Sequence, residues 1–157
     1  MKRLFWALVC IAATGVLAAQ DRIANRAFYA EFGGASLIYS ANIDGRFIPA
    51  QRLGSGYRVG IGGFFGTGDG SGIVVAPLGI NSLIGRSDSP HIFEVSYGAT
   101  FMYNDKNTYW PVHIGFAYRR QPLNEGFMWE AGITTLLFVY KFGGPLPLPT
   151  LSLGYVF

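Results

Sequence analysis

The sequence holds little charge, almost no cysteine and no long apolar run after its first twenty residues. Charged side chains make up 13% of 157 positions, about half the share of an average soluble protein. Intrinsic disorder is excluded, because disordered chains are rich in charge and poor in aromatics, and aromatics here reach 16%. The single cysteine is Cys10, so the chain after its N-terminal stretch has neither disulfide staples nor thiolate metal ligands. With only two histidines, His91 and His113, no metal-ligand cluster emerges, and no cofactor is expected. After residue 20 no stretch approaches the ~18 consecutive apolar residues of a membrane-spanning helix. What abounds is glycine, with 22 residues. Each weakens a helix interior by about 1 kcal/mol relative to alanine, so the chain points to strands.

Residues 1–19 read as a secretory signal peptide. Lys2 and Arg3 precede an apolar run from Leu4 to Ala13, and small residues follow around Val16-Leu17-Ala18. That is the order of charged, apolar and cleavage regions in an export signal. The apolar run is shorter than the ~20 residues of a membrane anchor. Val9 stands before Cys10, where a lipid-modified cysteine needs a small residue. Cleavage is expected after Ala18 or Ala19, leaving 20–26 as an N-terminal segment and 27–157 as the folded unit. Without Lys2 and Arg3, ten basic residues face nine acidic ones, so net charge falls from +3 to +1. No nucleic-acid footprint remains.

Successive strand residues face opposite sides, so alternation locates strands. In AFYAEFGG, Phe28, Ala30 and Phe32 share one face, and Tyr29, Glu31 and Gly33 the other. A tight Gly34-Ala35 turn is expected next. In LIYSANID, Leu37, Tyr39, Ala41 and Ile43 oppose Ile38, Ser40, Asn42 and Asp44. YRVGIGGF sets Tyr57, Val59 and Ile61 against Arg58, Gly60 and Gly62. From Ile73 to Ile84 the pattern is looser, with Val74, Ala76, Leu78 and Ile80 against Pro77, Gly79 and Asn81. FEVSYGATF, VHIGFAYR, FMWEAGIT and LSLGYVF repeat the alternation, placing Glu94, His113, Arg119, Glu130 and Ser152 on the small or polar face. Segments rich in Gly, Pro, Asn or Asp separate the eight strands.

Eight strands after an export signal, apolar on one face and small or polar on the other, predict an all-β fold. The expectation is an eight-stranded antiparallel transmembrane β-barrel after a cleaved signal peptide, occupying 27–157. The alternative is a soluble periplasmic or secreted barrel binding an apolar ligand, with its apolar face inward. Such a barrel needs many outward charges, and the polar faces here are mostly Gly, Ser, Thr and Asn.

The stretches AFYAEFGGASLIYSANIDGRF, VAPLGINSLIG, HIFEVSYGATF, IGFAYRRQP, FMWEAGITTLLF and LSLGYVF resemble the small eight-stranded outer-membrane β-barrel proteins of Gram-negative bacteria. That broad class includes OmpA-type and OmpX-type barrels, and the nearer likeness is to a subgroup mostly without assigned activity. The resemblance implies location in the cell outer membrane and a lipid surround. Leu153, Tyr155 and Phe157 match the C-terminal aromatic signal that such proteins present to the barrel-assembly machinery.

Charges on the small-residue face comprise Glu31, Asp44, Arg58, Glu94, His113, Arg119 and Glu130. Glu31, Arg58, Glu94, Arg119 and Glu130 are expected to pair into a structural network plugging the lumen, since buried charges persist when paired. Glu94 and Glu130 are the first candidates for Arg119's partner. A lipid-modifying enzyme would need Ser, His and a carboxylate at one level. Ser96, His113 and Glu94 lie on neighbouring strands, but no GxSxG elbow accompanies them. No catalytic residues are assigned, and the chain is read as a non-enzymatic, monomeric structural or interaction protein. GTGDGSG lacks the residues of a phosphate or calcium loop. Tyr29, Tyr39, Tyr57, Tyr97, Tyr118, Trp129 and Tyr155 are expected in the aromatic girdles at the bilayer interfaces. Both termini are expected in the periplasm, with outside loops near Gly34–Ser36, Gly66–Gly72, Asn104–Pro111 and Phe142–Pro149. Tyr109 and Trp110 make the third a candidate contact site.

Overall fold

A computed structural model describes residues 24–49, 51–64, 72–104, 107–137 and 144–157. The proposed signal peptide, most of the N-terminal segment and most of the 66–72 loop lie outside the described residues.

Among the described residues the strands are β1 (Arg26–Gly33), β2 (Tyr39–Arg46), β3 (Gly54–Phe64), β4 (Ile73–Gly85), β5 (His91–Asn104), β6 (Asn107–Tyr109), β7 (Val112–Arg120), β8 (Gly126–Leu137) and β9 (Leu146–Val156). All pair antiparallel with their neighbours. β9 pairs with both β8 and β1, and β4 with both β3 and β5, so eight strands close into a ring. Short β6 folds back on the end of β5, pairing Tyr109 with Met102. Closure gives each of the eight long strands a partner on both sides over most of its described length, so no whole strand is left as an edge. Arg26 and Phe157 exchange backbone hydrogen bonds, so the start of the first strand and the end of the last meet at one rim, called here the termini end.

Alternation survives in burial. Phe28 is 57% exposed while Tyr29 is 0% exposed, and the same switch runs along every long strand. Outward faces carry Phe, Ile, Tyr, Leu and Val. Inward faces carry Glu31, Asn42, Asp44, Arg58, Asn81, Glu94, Thr100, Arg119 and Glu130, all buried. Tyr29 is thus not a girdle residue; its strand parity places it in the lumen, beneath the Arg58 guanidinium at 5.4 Å from the ring centre.

Prolines mark where the ladders yield. Pro77 has no N–H to donate, and β3–β4 pairing lapses between Val59↔Leu78 and Gly62↔Val75. Pro147 and Pro149 fall in the expected outside loop at Phe142–Pro149, yet they lie within β9. There β9 pairs with β8, because β1 ends opposite Thr150. A strand tolerates proline where it lacks a second partner.

The Gly34-Ala35 turn also departs from expectation. It does not project outward as a loop. Gly34–Ser36 form a buried 3-10 turn that folds into the far mouth of the barrel. Gly33 has φ +73°, and a Cβ there would lie 2.1 Å from the Pro149 carbonyl oxygen, so this inward fold needs glycine. Leu37 also adopts a positive φ of 70°, a strained conformation for a non-glycine residue. It packs against Val75, Met102 and Leu136, and that contact holds the strained backbone in place.

Candidate functional site

The lumen is filled with charge. Among the described residues it holds four buried carboxylates (Glu31, Asp44, Glu94, Glu130) and four buried arginines (Arg46, Arg52, Arg58, Arg119). Equal numbers permit neutrality without an added ion. Inward-pointing positions on β1, β2, β3, β5, β7 and β8 supply all of them except Arg52, which comes from the turn between β2 and β3.

Arg119 lies at the centre. Its Nη1 donates to Asp44 Oδ2 at 2.5 Å and to Glu94 Oε2 at 3.1 Å, with all three side chains 1% exposed. Asn81 Nδ2 donates to both carboxylates, at 3.2 Å to Asp44 and 3.0 Å to Glu94. Arg46 Nη2 donates to Asn81 Oδ1 at 2.7 Å, and its guanidinium stands 3.6 Å from Asp44. Arg46 also closes on the Gly54 carbonyl at 2.8 Å. The five groups form one connected cluster in which charge-assisted hydrogen bonds replace lost hydration.

Of the two candidates for Arg119's partner, Glu94 is in contact. Glu130 stands directly opposite Arg119 in the β7–β8 ladder, yet Arg119 reaches across the lumen to Asp44 on β2 instead. Inward side chains converge on the barrel axis, so a long arginine can meet carboxylates from strands across the lumen as well as from its own neighbour. Arg58 pairs with Glu31, forming a second cluster with Tyr29. Glu130 lies against Glu94, with Arg58 and Arg119 near. Glu31, Ser152 and Glu130 occupy one row across β1, β9 and β8.

Asp44, Arg46, Asn81 and Arg52 are the residues absent from the five-residue network expected from sequence. Asp44 and Asn81 carried a signal, since both sit at inward parity. Arg46 and Arg52 border a turn where alternation stops.

Each end of the lumen has its own anchoring contacts among the described residues. At the far end Thr100 Oγ1 donates to the Ala35 carbonyl at 2.9 Å. This uses the threonine's one proton, so His113 Nδ1 donates to Thr100 Oγ1 at 3.3 Å. His113 therefore anchors the turn, while Ser96, two pairs nearer the termini end, is not among its hydrogen-bond partners. At the termini end Arg52, 7% exposed, donates to the carbonyls of Arg86 at 3.1 Å, Ser87 at 3.3 Å and Gln121 at 3.4 Å, and to that of Ser89. One side chain thus ties three turns together. Burial, then the Arg119 charge, lower the Arg52 guanidinium from its usual value.

The outside of the third expected loop is divided. Trp110 is exposed and meets Phe101 edge-on at 4.8 Å, whereas Tyr109 packs inward against the Val75 cluster. Among the described residues no group of three or more His, Cys, Asp or Glu side chains has metal-binding geometry.

Among solved structures, the chain is similar to the crystal structure of the N-terminal β-barrel domain of Pseudomonas aeruginosa OprF. The TM-score is 0.58 at 13% identity, and the match covers 85% of this chain and 96% of that one. At this identity the likeness is one of fold. No family model matches the chain, and no curated protein matches it in sequence.

Proposed function

We propose that the protein is an integral outer-membrane β-barrel of Gram-negative type, non-enzymatic, with a structural or interaction role and a lumen plugged by its own side chains. The observation that supports this reading is the inverted distribution of polarity. Phe28, Ile61, Tyr97, Phe116, Phe127 and Ile133 stand outward at more than half exposure, while the interior is charged. In water such a continuous apolar belt is an aggregation hazard; in lipid it is the preferred surface. On β5, outward apolar positions run from Phe93 to Phe101, roughly 20 Å along the barrel axis for tilted strands, close to the ~25 Å apolar band of such barrels. A soluble barrel for apolar ligands fits less well, because four carboxylates and four arginines fill the lumen where such a ligand would lie, and the buried apolar side chains are packed against one another in two small clusters.

In this reading residues 1–19 direct export, and Leu153, Tyr155 and Phe157 present the assembly signal to the barrel-assembly machinery. The turns at the termini end face the periplasm, and the protein works as a monomer in outer-membrane lipid. Glu31, Arg58, Glu94, Arg119 and Glu130, joined by Asp44, Arg46 and Asn81, hold the wall together from inside.

Fractionation of a Gram-negative host tests the location. Recovery in the outer-membrane fraction, release by detergent alone and faster gel migration without heating are expected. Recovery in a detergent-free periplasmic extract would refute the membrane reading. Planar-bilayer recording tests the plug: the expected trace is silent, and steady ion conductance would overturn it.

A further inference from the structure

We infer that the outward face where β5, β7 and β8 approach the termini end is a binding site for the phosphodiester of a phospholipid. The inference rests on the membrane reading above and adds a ligand to it.

Arg120 carries it. This residue is exposed on the outer wall, paired in the ladder with His91 on one side and Trp129 on the other. Among the described residues no carboxylate forms an ion pair with it. The contrast is Arg86 at the same end, whose guanidinium meets Asp88 at 2.9 Å. Among the described residues Arg120 is therefore a cation without a counter-ion, at the border between the apolar belt and the turns.

Its neighbours are set for the same task. His91 Nδ1 is hydrogen-bonded to the Tyr118 hydroxyl. A phenol donating there makes Nδ1 the acceptor, which puts the histidine's proton on Nε2 as a free donor. The Tyr118 ring lies 5.9 Å from the His91 ring and 5.3 Å from the Trp129 ring, so the three side chains brace one another. Two donors of different elements thus flank one place on an otherwise apolar wall. Next to it, toward the bilayer middle, Phe93 and Phe116 stack at 6.4 Å and offer a flat surface for an acyl chain. A planar guanidinium fork beside an N–H donor matches two phosphate oxygens. The diacyl tail then follows the aromatic surface, which a free anion cannot use.

The test is native mass spectrometry of the detergent-solubilised barrel titrated with phosphatidylglycerol. Diacylglycerol with the same tails and glycerol phosphate without tails serve as separate arms. Retention of phosphatidylglycerol alone is expected. Arg120→Gln should weaken it about fivefold, the size of one arginine near an anionic lipid surface. Arg120→Lys should restore part of it, and His91→Phe, which keeps a ring, should weaken it less than Arg120→Gln. Arg26→Gln, which removes an exposed cation at the same rim, should leave it unchanged. Unaltered retention in Arg120→Gln overturns the site, as does an equal loss in Arg26→Gln. Equal retention of diacylglycerol would show a tail-only surface, and full competition by glycerol phosphate a plain anion site; either also overturns it. A wild-type barrel that fails to insert into phosphatidylcholine vesicles would refute the membrane reading. One that inserts but ignores the phosphate refutes this inference alone.

Discussion

Replacing Arg119 by methionine is the most direct probe of the charged interior. The substitution keeps length and apolar bulk but removes the guanidinium that joins Asp44 and Glu94. Breaking a buried ion pair from one side costs about 3–5 kcal/mol, because the abandoned charge stays buried. Here the abandoned carboxylates are not bare. Asp44 keeps Asn81 at 3.2 Å and Arg46 at 3.6 Å, and Glu94 keeps Asn81 at 3.0 Å. The loss should therefore fall near the lower bound, about 3 kcal/mol. Asp44→Asn alone should cost about 2 kcal/mol, since Arg119 retains Glu94 and Arg46 retains Asn81 and the Gly54 carbonyl. The double variant carries balanced charge again, so its loss should be at least 1 kcal/mol less than the two single losses combined. Urea titration of the barrel folded in detergent micelles, followed by Trp110 and Trp129 fluorescence and checked by unheated gel mobility, reads all three. A single-variant loss below about 1 kcal/mol, or losses that add to within about 0.5 kcal/mol, would refute the network argument.

Ile114→Arg, on the outward face of β7, should cost about 2–4 kcal/mol of stability in lipid vesicles, while Ile114→Leu stays near wild type; equal tolerance would show that this face does not meet lipid. Gly33→Ala should destabilise by about 1–3 kcal/mol and loosen the inward turn, seen as faster amide exchange at Ala35 and Ser36; unchanged exchange would sever the link between that glycine and the inward fold. Arg52→Gln should cost about 2 kcal/mol and expose the 86–90 and 121–125 turns to protease before the strands; simultaneous cleavage everywhere would show that Arg52 does not tie these turns.

The sequence made strands and faces legible because both depend on parity. Phe28 against Tyr29, or Val95 against Glu94, follows from a period of two whatever the partner strand. Tyr29 was misplaced among the girdle residues by its type, although its parity already set it beside Glu31. What alternation does not encode is reach across the lumen. Arg119 and Asp44 are 75 positions apart, and nothing in the local pattern says which inward carboxylate around the ring an arginine will meet. The inward turn was hidden for another reason. Gly33-Gly34 reads equally well as an ordinary hairpin turn, and the direction taken depends on Thr100 and the Pro149 backbone, both distant in sequence. Pro147 and Pro149 disguised the start of β9, because proline denotes a strand only where the neighbouring strand has already ended.

The distribution of the ionic groups also bears on how the barrel is made. Asp44 belongs to the second strand and Arg119 to β7, Arg58 to the third and Glu31 to the first, while Ser152, in the last strand, stands in the row between Glu31 and Glu130. Glu31 and Arg58 can meet within the first three strands, but the Asp44–Arg119–Glu94 cluster draws on the second strand, β5 and β7 and is complete in neither half of the chain. An open, partly formed sheet in the bilayer would turn unpaired carboxylates and guanidinium groups toward hydrocarbon, each at a cost of several kcal/mol. Half-inserted sheets are therefore disfavoured by their own interior, and insertion and ring closure become a single cooperative event.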